Sequence, residues 1–329
     1  MGMICDLDME LWKFRDIYFD EGPHVYTDSL GTKYTSVTKF VRVCGEDPEF
    51  DKHAKEFQDK YGMSYDDVYA IFNGSMKDVT RDSVYGMLSC KKEDIPEKLV
   101  KSIVSRDLYE FCDILKWQGI AQRYADKHGR TVEDVQAEWD KNKDTAASMG
   151  TQVHAYMENL WKRKHYQPDV PVGDYEQVRK SGLEAYRGLC RRFVPIRNEF
   201  IVYKPEWALC GTIDFLCWDR GNDCIAILDW KTNKEIKKDN SYQKCIGPLE
   251  GLPDCNYIHY SAQLSTYKLL IERMTDLRVG ELALVHLKRD GWEYIPCMDL
   301  SVEIGAYLGN RAIVNQSKYC IFNAYGTSQ

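Results

Sequence analysis

Two aspartates and a lysine, Asp214, Asp229 and Lys231, stand among apolar neighbours in the stretch GTIDFLCWDRGNDCIAILDWK, residues 211–231. Residues 212–218 and 224–231 are rich in β-branched, aromatic and aliphatic side chains, and the polar run Asp219-Arg220-Gly221-Asn222-Asp223 between them has turn chemistry. With the turn centred between Gly221 and Asn222, an antiparallel register sets Asp214 opposite Asp229 and Thr212 opposite Lys231. Strand alternation then puts both acids and the lysine on one face. Opposed carboxylates repel, and burial makes the repulsion worse, so a cation belongs between them. Two carboxylates, water and a phosphate oxygen are a usual way to hold Mg²⁺, and a lysine two residues beyond the second acid can orient or deprotonate a water there. The same residues also fit a plainer arrangement: Asp214 caps a strand end, and Asp229 and Lys231 form a solvated pair.

Other residues of the right type lie on the elements around this hairpin. A helix starting near Thr131 or Asp144 and running to about Lys164 carries His154 and Glu158, four apart and therefore on one face. Such a face can give a metal its nitrogen ligand and an outer carboxylate, or simply hold a structural His–Glu pair. A second helix, about 175–192, is followed by a strand at 199–203 and a loop at Pro205-Glu206, so Glu199 and Glu206 are further acids that can face an ion. Arg187, Arg191, Arg192 and Arg197 form the densest basic cluster, fit either to track a phosphate backbone or to make a solvated face. The loop 232–256 carries Lys234, Lys237, Lys238 and Lys244. Beyond it, a helix from about Tyr257 to Met274 places Gln263 and Tyr267 on one face. A hairpin over 281–297 turning at Asp290-Gly291 and a last helix over 302–316 close the chain.

The N-terminal half has a different texture. A hairpin turning at Asp28-Ser29-Leu30-Gly31 precedes a helix capped by Ser36 or Thr38. From about 50 to 145 the pattern is helical, with capping-box spacing at Ser64 and Asp67, and with one long periodic segment over 97–129 that Gly129 ends. No catalytic spacing occurs in this block. The organisation expected is a hairpin and helix joining the core over 1–49, a helical insertion or subdomain over 50–143, and the core over 144–329. The fold class is α/β: a central mixed sheet with helices on both faces and a helical extension from the N-terminal half.

The 329 residues, 44% hydrophobic and 29% charged, suit a globular chain with a large core. No stretch approaches the roughly 20 apolar residues of a membrane span, and the acidic, aromatic N-terminus is unlike a signal or transit peptide. Twelve cysteines with no CxxC pair point to free thiols in a reducing compartment: cytoplasm, nucleus or a viral replication site. The net charge of -7 is uneven: residues 1–145 carry 21 basic and 29 acidic side chains, residues 146–329 carry 23 and 22. Metal neutralising acids in the second half would leave a positive working surface, so the total does not exclude a nucleic-acid partner.

Four signals stand in order: GTQVHAYME on a helix, GTID on a strand, ILDWK on the next strand and QLSTY on the following helix. Together they resemble the PD-(D/E)XK nuclease superfamily in its RecB-like branch, which includes phage-type exonucleases and the mitochondrial genome maintenance exonuclease. The resemblance covers about residues 145–290, and the opening at 24–41 is also similar. It implies a restriction-endonuclease-like core. It makes Asp214 and Asp229 metal-binding and catalytic acids, Lys231 the catalytic lysine, His154 a further ligand and the backbone carbonyl of Trp230 another. Gln263 and Tyr267 would support the lysine or contact substrate. From the residues themselves, beside the resemblance, Arg191 and Arg192 of the basic cluster are candidates to hold phosphates, and Glu158 and Glu199 are secondary acids near the ligands. Mg²⁺ or Mn²⁺ is the metal implied. No iron-sulfur cluster is expected, because only Cys297 and Cys320 lie near the C-terminus. The function implied is hydrolysis of DNA phosphodiesters, as an exonuclease on single-stranded or free-ended DNA in replication, repair or recombination, with the block 50–143 building the feature that selects ends. A non-catalytic nucleic-acid-binding protein keeping the fold is the alternative.

Overall fold

The computed structural model describes residues 2–20 and 25–310, and these divide into two compact units, one formed by residues up to 46 together with those from 143 on, the other by residues 47–142. The first unit opens with helix α1 (Gly2–Leu11), strands β1 (Ile17–Asp20), β2 (Val25–Asp28) and β3 (Lys33–Ser36), and helix α2 (Val37–Gly45). The second unit holds α3 (Phe50–Tyr61), α4 (Tyr65–Phe72), α5 (Arg81–Met87), α6 (Glu97–Ser105) and α7 (Leu108–His128). Helix α8 (Val132–Trp161) starts in the second unit and ends in the first. The first unit continues with α9 (Tyr175–Leu189), β4 (Phe193–Lys204), β5 (Leu209–Asp219), β6 (Cys224–Lys231), α10 (Asn256–Met274), β7 (Val279–Lys288), β8 (Gly291–Pro296) and α11 (Ser301–Asn310).

Among the described residues eight strands form one mixed sheet in the order β1-β2-β3-β5-β6-β7-β8, with β4 also paired to β5. The contacts β3–β5 and β6–β7 are parallel and the rest antiparallel. Strand β4 lies along the whole of one edge of β5, so β3 and β6 share the other: β3 takes Leu209 and Cys210, and β6 takes residues 215–219. Residues 211–214 are therefore left between two diverging strands, at the kind of switch point where open α/β sheets bind ligands.

The sheet is covered on both faces, which is why β6 reads as a nearly unbroken apolar run. On one face Ile225 and Ile227 join a core with α2, α10 and α11, including Leu264, Leu269 and Ile271. On the other, Ala226, Leu228 and Trp230 pack with Val153 and Met157 of α8 and Val178 and Ala185 of α9. Asp229 and Lys231, alternating with that second set, point to the face of α10.

Ser36 is the cap of α2, accepting from the Lys39 N–H, and Gly31 takes the left-handed φ of 79° that its turn requires. Three expectations need correction. The periodic segment over 97–129 is two helices: Arg106 turns left-handed at φ 57°, and the Asp107 side chain then caps α7 by accepting from Glu110 N–H. Helix α9 stops at Leu189, short of Arg192, and β4 starts at Phe193, well before Glu199. The helix expected over 302–316 is α11, beginning at Ser301, and its part beyond 310 lies outside the described residues.

In the second unit Phe50, Phe57, Phe72 and Phe111 pack ring against ring, with Leu99 and Ile103 fully buried. Among the described residues no helix is long and apolar enough to cross a membrane.

Candidate active site

The hairpin register is the one that the turn at Gly221-Asn222 dictates. Phe215 pairs with Leu228 and Asp219 with Cys224, so one step further along the ladder Asp214 faces Asp229. That step is closed by a side chain rather than by backbone: the Trp230 N–H donates to Asp214 Oδ2 at 2.9 Å. Asp229 Oδ2 forms an ion pair with Lys231 Nζ, and the ammonium also lies over the Tyr260 ring, 4.4 Å from its centroid. The Tyr260 hydroxyl donates to Asn233 Oδ1 at 3.0 Å, tying helix α10 to the loop just beyond the lysine.

His154 reaches the same place from α8. Its Nε2 is 3.1 Å from the Trp230 carbonyl, which can only accept, so Nε2 carries the proton and Nδ1 is turned toward the acids. Nδ1 lies 3.5 Å from Asp214 Oδ2 and 3.9 Å from Glu199 Oε1. The carbonyl thereby fixes the tautomer and aim of the ring, as second partners of metal-binding histidines do.

Glu199 is brought in by an irregularity. Asn198 pairs with Phe215 and Phe200 with Ile213, which leaves Glu199 across from Asp214. It holds a left-handed φ of 45°, a conformation that costs a non-glycine residue roughly 1–3 kcal/mol and is retained where the surroundings demand it.

Ligand atoms of His154, Glu199 and Asp214 all lie within 4.8 Å of one another. Exposure falls from about a third for His154 and Glu199 to 3% for the Asp229 side chain, so the cluster opens outward from a buried acid. Burial raises the Asp214 carboxyl, and burial together with the Asp214 charge pushes Asp229 up to about 6. Burial pulls His154 down, but Asp214 and Glu199 outweigh it and hold the imidazole near 9. Lys231 is held protonated in the same way, burial being overcome by Asp229 and Asp214. Three carboxylates faced by one ammonium and one imidazolium are still short of positive charge, and oxygen donors with one imidazole nitrogen, once its proton is displaced, suit a hard or borderline divalent ion.

Helix α10 backs the acids. Gln263 Nε2 donates to the Tyr267 hydroxyl at 3.0 Å, and Tyr267 is 3% exposed. Gly211 makes this packing possible, because a Cβ there would lie 2.7 Å from Tyr267 Cε1 and 3.2 Å from Val37 Cβ. Of the pair, Gln263 is the one that solvent reaches, and Tyr267 is a buried support.

Several expected residues are placed elsewhere. Glu158 pairs with Lys162 one turn on, and not with His154. Arg192 is committed to Asp219, which is fully buried, and to Glu281, at a position about 16 Å along β5 from Asp214. Its guanidinium is thus engaged by protein carboxylates at a distance from the acids of the site. Arg191 is exposed, Arg197 pairs with Asp8, and Glu206 pairs with Lys204 at 3.1 Å. Tyr260 and Asn233 went unnoticed in the sequence. The i, i+3 spacing of Tyr260 before Gln263 was the available signal.

A family model of the PD-(D/E)XK nuclease superfamily matches residues 123–295, just over half of the chain, and its span contains His154, Glu199, Asp214, Asp229, Lys231, Gln263 and Tyr267. The comparison with curated proteins finds no match. Such nucleases generally act on nucleic acid with divalent metal ions, the kind of ion that the donor set on β4, β5, β6 and α8 fits. By this match, and on a mixed sheet with its acids at the switch point, the chain belongs to the PD-(D/E)XK nuclease superfamily.

Proposed function

We propose that the protein hydrolyses DNA phosphodiester bonds with Mg²⁺ or Mn²⁺, acting as an exonuclease of the RecB-like kind on single-stranded or free-ended DNA. The observation that supports this most is the convergence of His154, Glu199 and Asp214 in front of the Asp229–Lys231 pair. In this reading Asp214, Asp229 and His154 hold the metal, while the Trp230 carbonyl, expected as a further ligand, orients His154 from its other nitrogen instead, and Glu199 stands beside them as a ligand or as an acceptor for metal-bound water.

A divalent ion bound there supplies neutralisation of the phosphoryl oxygens and acidity for water. The residues do the positioning. Lys231, a cation between Asp229 and the Tyr260 ring, donates hydrogen bonds to the attacking water or to a phosphoryl oxygen. As an ammonium it does not take the water's proton in this state, and the carboxylates at the outer edge are the acceptors. The water oxygen forms a bond to phosphorus while the bond to the 3′ oxygen breaks, and a proton is returned to that oxygen. Gln263, the reachable member of the α10 pair, is placed to contact the backbone of the strand being cut. Contacts of this type go to phosphate and sugar, which carry no sequence information, so cleavage should be indifferent to sequence. We assign the preference for ends to the helical block 50–143 expected from the sequence.

The test is degradation of labelled oligonucleotides with free and with blocked ends, in Mg²⁺, in Mn²⁺ and in chelator. Wild-type protein should release nucleotides from free ends only, and only with metal. Asp229→Ala and Lys231→Ala should each abolish turnover while leaving DNA affinity within about threefold. Cleavage retained by both variants refutes the assignment of the site, whereas equal cleavage of blocked and free ends refutes the exonuclease reading alone.

A further inference from the structure

A second cluster of ligating side chains lies in the first unit, apart from the acids of the active site. Cys245, on the loop between β6 and α10, Asp254, at the end of that loop, and His259, in the first turn of α10, bring a thiol, a carboxylate oxygen and an imidazole nitrogen within 4.8 Å of one another. Glu46, at the C-terminal end of α2, meets the ring at its other nitrogen: its Oε1 is 3.4 Å from His259 Nδ1, where it can orient the imidazole. The backbone that carries them is already held in place. Cys245 N–H donates to the Leu252 carbonyl at 2.8 Å, Ile246 N–H to Gly45 at 2.9 Å, and Asp254 N–H to Gln243 at 3.1 Å.

Two features set the cluster apart from an ordinary ion pair. His259 Nε2 lies 2.7 Å from Asp254 Oδ1, yet it is buried without a hydrogen bond of proper geometry. Cys245 is 2% exposed, and its thiol has only the Pro253 carbonyl at 3.6 Å. A Cys/His/acid set otherwise suggests a nucleophile with its base, but a sulfur buried this deeply cannot meet a substrate. It can meet an ion. Zinc bound tetrahedrally at about 2.0–2.3 Å keeps its ligand atoms about 3.3–3.8 Å apart, so loading needs shifts of about 1 Å or less.

We infer that Cys245, Asp254 and His259, with a water as the fourth ligand, form a structural site for a borderline-soft divalent ion of the zinc class, distinct from the hard-metal site of catalysis. The donor chemistry separates the two, since a thiolate selects zinc over magnesium and the catalytic cluster contains no sulfur. Binding releases the Cys245 proton to solvent and forms one metal–sulfur bond. The ion would lock the loop that follows Lys231 onto the ends of α2 and α10, next to Tyr260, on which the lysine rests.

Cobalt substitution of the full chain tests this, because a thiolate–cobalt bond gives a near-ultraviolet charge-transfer band that oxygen and nitrogen ligands do not. Wild-type protein purified without chelator should contain one zinc, and its cobalt form should show the band. Cys245→Ser should abolish the band, Asp254→Asn should weaken zinc binding at least about tenfold, and His154→Ala, in the catalytic cluster, should leave the band intact. A wild-type cobalt spectrum without the sulfur band overturns the proposal and needs no variant to fold. So does a band that survives in Cys245→Ser, or one that disappears with His154→Ala alone.

Discussion

Replacing Arg192 with alanine separates two readings of the basic segment at 187–197. The guanidinium donates from Nε to Asp219 Oδ1 at 3.1 Å, from Nη2 to Asp219 Oδ2 at 2.6 Å, and from Nη2 to Glu281 Oε2 at 2.8 Å. Without it the fully buried Asp219 keeps only the Gly221 N–H at 2.9 Å and the Asn222 amide at 2.8 Å. Breaking a buried pair costs about 3–5 kcal/mol. Arg192 is itself 43% exposed, so solvent screens part of the pair and about 2 kcal/mol remains. For a unit of this size that is a fall in Tm of about 4–8 °C, read by circular dichroism.

The acid limb carries a second signature. Arg192 and the neighbouring donors hold Asp219 below its ordinary value of 3.8. The folded carboxyl therefore gives up its proton more readily than the unfolded one. Its contribution to stability is present above pH 3.8 and is lost as pH falls through the lower folded value. Arg192→Ala should flatten that part of the curve while DNA affinity and its salt dependence, measured by fluorescence anisotropy at 20 °C, stay as in wild type. An unchanged Tm with weaker DNA binding and a shallower salt slope would show that the guanidinium serves phosphate, and the structural reading would be wrong.

Gly211→Ala places a methyl 2.7 Å from Tyr267 Cε1, so β5 and α10 must separate; a loss of about 1–3 kcal/mol in urea denaturation is expected, and no loss would show that the contact is slack. Mn²⁺ at about 100 times its Kd should stabilise the protein by about 2.7 kcal/mol, a shift that His154→Ala should largely remove; equal shifts in both proteins would place the ion elsewhere. Tyr260→Leu removes the ring under Lys231 and should slow cleavage roughly tenfold at unchanged KM, whereas Tyr260→Phe keeps the ring face and should stay near wild type. Equal rates for both would count against the ring as the seat of the ammonium.

The hairpin was readable because its information is local. A polar turn between two apolar runs fixes the register, and the register fixes which acids share a face. Glu199 was readable only as one of two acids near a strand end, since what aims it at His154 is a left-handed backbone at a position where nothing in the sequence calls for one. Arg192 misled for the reverse reason. Its partners Asp219 and Glu281 are 27 and 89 residues away, so a run of arginines looked unpaired in one dimension. The break between α6 and α7 was signalled after all: Asp107 and Glu110 have cap spacing inside a run whose apolar period continues through it. Tyr260 was hidden because its role depends on which turn of α10 lies under the end of β6.

Asp214 Oδ2 accepts the Trp230 amide and also faces His154 Nδ1. One oxygen thus fastens two strands and belongs to the metal-facing cluster, so any substitution at Asp214 loosens the sheet edge as it removes a ligand. A dead Asp214 variant is therefore an ambiguous control. Asp229→Ala in turn leaves the buried Lys231 ammonium without its counter-ion, so lost turnover at either acid belongs to chemistry only where the variant keeps the wild-type Tm.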